Sequence, residues 1–171
     1  MEGCREQQMT ETAGLYRRIE SECPAFQARV TARALTRYYN ACFRHLGITA
    51  EQFSLLVGIG GSHQPTLAEL AARAGVDATT LSRSVNSLER RDLVRNHGGR
   101  GRGRGGKRLV LTEQGRRLLD QSIAAWELAQ IGLAEVLGEK ASRVAGSVMS
   151  RLAVAAQAAA AAISPADSSD S

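Results

Sequence analysis

Between Asp77 and Arg90 the chain reads DATTLSRSVNSLER. Leu81, Val85 and Leu88 recur at the spacing of one helix face. That turns Thr79, Thr80, Ser82, Arg83, Asn86 and Arg90 outward. Short hydroxyls near a helix start, with Arg and Asn beyond them, have the chemistry to meet base edges and phosphates in a major groove. The tract GGRGRGRGG follows closely, placing Arg100, Arg102 and Arg104 between glycines just before Lys107. From Ala78 to Leu111 nine cations face two carboxylates, a local charge of +7 in a chain of +5, so the remainder is −2. A basic block in an otherwise slightly acidic protein is the footprint of a polyanionic partner. The plainer reading is a solvated helix face followed by a solvated basic loop, and the directly adjoining hairpin weighs against it.

Other chemistries find little support. His45, His63 and His97 have no metal-ligand spacing with Cys or carboxylates, so no metal is expected. Neither a nucleophile elbow nor a phosphate loop appears, and the Gly-rich tract lacks a Lys-Ser/Thr ending. No enzyme activity and no cofactor are expected.

The elements that must position these residues read as follows. Cys23-Pro24 opens a helix, because proline at the first helical position costs no hydrogen bond. Phe26, Val30, Ala34, Tyr38 and Cys42 form one apolar stripe on it, and Leu35, Tyr39, Phe43 and Leu46 a second; Gly47 ends it. Thr49 with Gln52, and Thr66 with Glu69, have capping-box spacing for two short helices. Ala71 and Ala74 allow close helix approach, and Gly75 supplies the turn before the Asp77 cap. Leu93 to Arg95 and Arg108 to Leu111 favour strands that flank the Gly/Arg tract as a hairpin. Thr112 caps a long helix through Leu119, Ile123, Trp126, Leu133 and Leu137. A last helix runs through Val144, Val148, Leu152 and Ala155 to about Ile163 and stops before Pro165. The fold class is mainly α, a winged helix-turn-helix within a helical frame.

With 171 residues, 43% of them hydrophobic, the chain can bury a core without staples. Three unpaired cysteines and the polar start MEGCREQQMTE predict a cytoplasmic protein with no leader. Collagen, disulfide scaffolds and membrane spans are excluded, the last because no uninterrupted apolar run reaches ~18 residues. Boundaries follow: 1–22 a weakly specified extension, in which only Leu15 and Ile19 suggest a helix; 23–48 and 112–163 a helical dimerisation region; 49–111 the DNA-binding region; 164–171 a disordered tail.

The ordered landmarks are Leu46-Gly47-Ile48-Thr49, Gln52-Phe53, Leu55-Leu56 and Leu67-Ala68-Glu69-Leu70-Ala71. Thr79-Thr80-Leu81-Ser82-Arg83, Leu88 through Val94 and Leu109 through Gly115 follow. With them the chain resembles the MarR family of winged-helix transcription regulators over roughly Pro24 to Ala160. The resemblance implies a homodimer bound to a pseudo-palindromic operator in double-stranded DNA, usually as a repressor released by a ligand or by oxidation. Thr66, at the start of the first helix of the helix-turn-helix, joins the residues expected at DNA. The family usually carries Asp-x-Arg in the wing; Arg104 and Gly106 stand there instead, so the acidic partner is missing and the wing tip is expected to be more cationic and disordered without DNA.

Two triggers are compatible with this reading. A small aromatic or organic effector, lodged between dimer frame and DNA-binding lobe as in the family, would meet Arg33, Tyr38, Tyr39, Phe43, His45, Phe53 and Trp126. Each of these aromatics also suits a core position. The other trigger is Cys23, whose place at a helix N-terminus raises thiol reactivity. Alignment to the peroxide-sensing branch, however, puts that branch's cysteine at Ala25, although its tyrosine matches Tyr39. Cys42 reads as a small core residue. A different class of function, an effector-free architectural or RNA-binding protein, would use the Gly/Arg tract for stacking and phosphate contact.

Overall fold

The computed structural model describes residues 2–97 and 108–163, with side chains from residue 12 onward. Among the described residues, seven α-helices and two paired strands follow in chain order: α1 Glu2–Glu22, α2 Pro24–Phe43, α3 Ala50–Gly60, α4 Leu67–Ala74, α5 Ala78–Arg90, β1 Val94–His97, β2 Arg108–Leu111, α6 Glu113–Leu137 and α7 Glu139–Ile163. Residues 1–126 and 127–171 form two compact units. The winged helix-turn-helix lies in the first.

Local chemistry sets the helix starts. Pro24 occupies the first turn of α2 behind an extended Cys23. Thr49 accepts from the Gln52 N–H at 3.2 Å while the Gln52 side chain accepts from the Thr49 N–H at 3.1 Å. Thr66 and Glu69 repeat this at α4, at 3.2 and 2.7 Å. Such reciprocal bonds satisfy donors that a helix start otherwise leaves open. α2 stops at Phe43, before Gly47: a 3-10 turn over Arg44–Leu46 intervenes, and Gly47 closes that turn at φ 67°.

The core gathers under the hairpin. Phe43, Leu56, Leu88, Leu93 and Val94 are at most 2% exposed, and Leu55, Ile59, Leu70, Leu81, Val85, Leu109 and Leu111 surround them. Full burial of each such leucine removes apolar area worth about 1.5–3 kcal/mol from water. β1 and β2 pair antiparallel, Val94 opposite Leu111 and His97 opposite Arg108. A further bridge joins Thr66 to Arg108, with the Leu109 N–H donating to the Pro65 carbonyl at 2.8 Å. The hairpin base is thereby tied to the start of α4.

The helix that Leu15 and Ile19 suggest in the N-terminal extension forms over 21 residues. Other expectations need correction. Ala71 is buried but Ala74 is exposed, so only the first mediates close packing. Cys42 is half-buried rather than a core residue. α7, with a window of mean hydropathy 1.3, is long and apolar enough to cross a membrane by composition alone, although Arg151 interrupts it. None of that window is buried. The hairpin tip and the tail beyond Ile163 lie outside the described residues.

Candidate nucleic-acid interface

The α5 helix carries three distinct faces. Leu81, Val85 and Leu88 enter the core. Thr79, Arg83, Asn86 and Arg90, at helical spacing on the opposite side, are all exposed. Ser84, Ser87 and Arg91 follow one flank and bond to neighbouring elements. The Ser84 hydroxyl donates to Glu51 at 2.8 Å, the Gln52 amide donates to Ser87 Oγ at 3.4 Å, and the Arg91 guanidinium donates to the Gly47 carbonyl at 2.8 Å.

Asp77 anchors the N-terminus of α5. One carboxylate oxygen accepts from the Thr80 N–H at 2.9 Å and the other from the Thr80 hydroxyl at 2.6 Å. These bonds hold the carboxyl below the usual aspartate range, the hydroxyl's contribution being the larger. The Ser82 hydroxyl donates to the Thr79 carbonyl at 2.7 Å. With their protons directed inward, the Thr80 and Ser82 oxygens keep lone pairs for base N–H donors.

Thr66 is half-buried, with its hydroxyl oxygen in the α4 capping box. Its bonds to Glu69 hold that carboxyl low, and Arg108 adds a smaller electrostatic contribution. Arg108 also donates to the Gln64 carbonyl at 3.0 Å, beside a Gln64 backbone at φ 51°. Arg91 and Arg108 read in the sequence only as part of the basic block, and no spacing signal assigned either a partner. Arg100, Arg102, Arg104 and Lys107 lie outside the described residues.

Of the candidate effector residues, four come together. Tyr38 and Tyr39 meet edge-on at 5.3 Å between ring centroids, Tyr39 stacks on Phe43 at 6.1 Å, and Phe43 meets Phe53 at 4.6 Å. Phe43 is fully buried. Burial first, and Cys42 second, raise the Tyr39 phenol above its ordinary value. Arg33, His45 and Trp126 are exposed on other turns of the chain. Two described cavities, of about 340 and 350 Å³, are lined by other residues: one by α3, α4 and Leu81, the second by Ile59 to Gln64, β2, Arg116 and Leu119. Cys23 is half-buried at the α2 N-cap with a free thiol. No cluster of metal ligands occurs among the described residues.

Comparisons place this architecture. The MarR family profile matches residues 46–105. The Mycobacterium tuberculosis transcriptional regulator MosR is 35% identical, with 81% of this chain and 98% of MosR covered at a TM-score of 0.69. A complex of MosR with DNA matches over the same shares, at 34% identity and a TM-score of 0.69. The transcriptional repressor CouR bound to a 23-mer DNA duplex has the same fold at 20% identity, 79% and 95% coverage and a TM-score of 0.71. None of the curated proteins matches the chain. On the identity and near-complete coverage of MosR, this chain belongs to the MarR family of transcriptional regulators.

Proposed function

We propose that the protein is a homodimeric, sequence-specific binder of double-stranded DNA that represses transcription in the cytoplasm and is released by a small aromatic or organic ligand. The observation that carries the DNA reading is the exposed face of α5, with Thr79, Arg83, Asn86 and Arg90 aligned opposite its buried stripe. The MosR and CouR complexes with DNA support it. Residues 49–111 would contact DNA, with Thr66, Thr80, Ser82, Arg100, Arg102, Arg104 and Lys107 joining the α5 face.

Residues 23–48 and 112–163 would form the dimer frame. Support comes from apolar side chains left exposed: Phe26 and Val30 on α2, Leu128 and Ile131 on α6, and Val144, Val148 and Leu152 on α7. Such stripes suit a second copy. Sedimentation should give a dimer at micromolar concentration; a folded monomer would reject this part.

The effector reading rests on the packed rings of Tyr38, Tyr39, Phe43 and Phe53, and on relatives captured with p-coumaroyl-CoA and with salicylic acid. The deciding experiment for base readout is Arg83→Ala. Specific DNA binding should weaken by about 1–3 kcal/mol while binding to random DNA is spared. Equal losses on both would make Arg83 a phosphate contact.

A further inference from the structure

The exposed face of α5 works only if the helix is held at one rotation about its axis. A hydrophobic stripe alone fixes that rotation loosely, because leucine and valine contacts are not directional. The flank formed by Ser84, Ser87 and Arg91 is directional. All three side chains meet one short stretch, from Gly47 to Gln52. That stretch has a second anchor. The Ala50 N–H, in the first turn of α3, donates at 2.7 Å to the Asn40 side-chain oxygen, which is partly buried on α2. Gln52 works on both sides: its oxygen caps Thr49 and its nitrogen reaches Ser87.

We infer that the Gly47–Gln52 turn is a coupling node, through which Asn40 on α2 and Arg91 at the end of α5 jointly set the orientation of the recognition helix. Arg91 and Asn40 are positioning residues; on this assignment neither touches DNA. The inference rests on the DNA-binding reading above and adds how α2, a helix of the proposed frame, governs it. The chemistry favours such a role. The Gly47 N–H closes a 3-10 turn on Arg44, while its carbonyl has no helix of its own to enter, so a guanidinium donor at 2.8 Å satisfies that carbonyl with a charge-assisted bond. The Ala50 N–H is among those a helix start leaves without an internal partner, and Asn40 supplies the acceptor. A shift of α2 therefore moves the start of α3, which carries two of the three contacts to α5 through Glu51 and Gln52, and with it the Gly47 turn that carries the third.

The test uses the full chain, a duplex enriched from a random library by the wild-type protein, and a scrambled duplex of equal composition. Arg91→Ala and Asn40→Ala should each weaken binding to the enriched duplex about tenfold, with scrambled DNA changed less than about twofold. The salt dependence should stay at the wild-type slope. Because both act through one turn, the double variant should lose much less than the product of the two. Asn40→Asp keeps an acceptor for the Ala50 N–H and should retain wild-type affinity.

Multiplicative losses, or failure of Asn40→Asp to rescue, would overturn the coupling. A fall of about 0.9 in salt slope for Arg91→Ala, with loss on scrambled DNA, would make Arg91 a phosphate contact instead. If the wild type enriches no duplex, the function reading fails on its own, and amide hydrogen exchange in the free protein decides the node. Faster exchange along α5 in both alanine variants, restored in Asn40→Asp, would sustain it; unchanged exchange would overturn it.

Discussion

Gly115 and Leu93 meet backbone against backbone: a methyl group on Gly115 would lie 1.9 Å from the Leu93 carbonyl oxygen. Thr112 makes the approach this close. Its N–H donates to the Leu93 carbonyl at 3.1 Å, its hydroxyl donates to the Asp92 carbonyl at 2.6 Å, and its oxygen caps the Gly115 N–H at 3.0 Å. The first turn of α6 is therefore locked onto the residue that immediately precedes β1. Gly115→Ala should destabilise by about 3 kcal/mol or more, since backbone rather than a flexible side chain must give way. Denaturant unfolding checks this, with Gly14→Ala as the control. Nothing lies within 4 Å of a methyl there, and the helix should gain up to about 1 kcal/mol.

Asp92 ends α5 at φ 53°, where the Leu93 N–H reaches the Leu88 carbonyl at 3.0 Å and the Asp92 N–H reaches Glu89 at 2.9 Å. This is the paired bonding of a Schellman motif, which favours glycine in the left-handed position. Asp92 also places a negative charge at the unfavourable end of the helix dipole. Asp92→Gly should stabilise by about 0.5–1 kcal/mol, read as a higher denaturant midpoint at unchanged slope.

The Asp77 cap has a pH signature. Its carboxyl titrates below the ordinary range because the Thr80 hydroxyl and N–H favour the ionised form. A depressed folded value stabilises above the unfolded pKa, about 3.9, and that stability is lost as pH falls through the folded value. Asp77→Ala should lower the melting temperature at pH 7. The gap to wild type should narrow below about pH 4. A gap independent of pH would show that the carboxylate charge contributes nothing.

The arginines of the Gly/Arg tract make a prediction that needs only their charge. Each phosphate neutralised adds about 0.9 to the slope of log K against log salt. Replacing Arg100, Arg102 and Arg104 with Ser should lower that slope by about 2–3 and weaken binding on every sequence. The loss should be larger where flanking DNA is A·T-rich, because a narrow minor groove attracts arginine. An unchanged slope would remove these residues from the interface.

The Arg100, Arg102 and Arg104 result would differ in kind from that of Arg91. Both belong to one basic block in the sequence, yet Arg91 is bonded to Gly47, 44 positions away. Composition treats all these guanidiniums alike, because nothing in the neighbouring residues records a partner that only folding brings near.

Most local structure was legible in the sequence for the opposite reason. Thr49 with Gln52, Thr66 with Glu69 and Asp77 with Thr80 all act across three residues, so spacing alone names donor and acceptor. The α5 core stripe is likewise a matter of helical period, and its exposed face follows from it. α1 was signalled only by Leu15 and Ile19, because its residues from Thr12 to Glu22 bury no stripe and leave little periodic signal to read. The close approach of Gly115 to Leu93, the hold of Arg108 on Gln64, and the Asn40 bond that seats α3 on α2 join residues 10 to 44 positions apart. By itself the sequence determined most of the helices and both strands, and which face of α5 stays polar, because caps and hydrophobic period act within a turn or two. Which side chains fix that face in space was decided only by tertiary structure, because long-range hydrogen bonds depend on where the packed core brings the backbone.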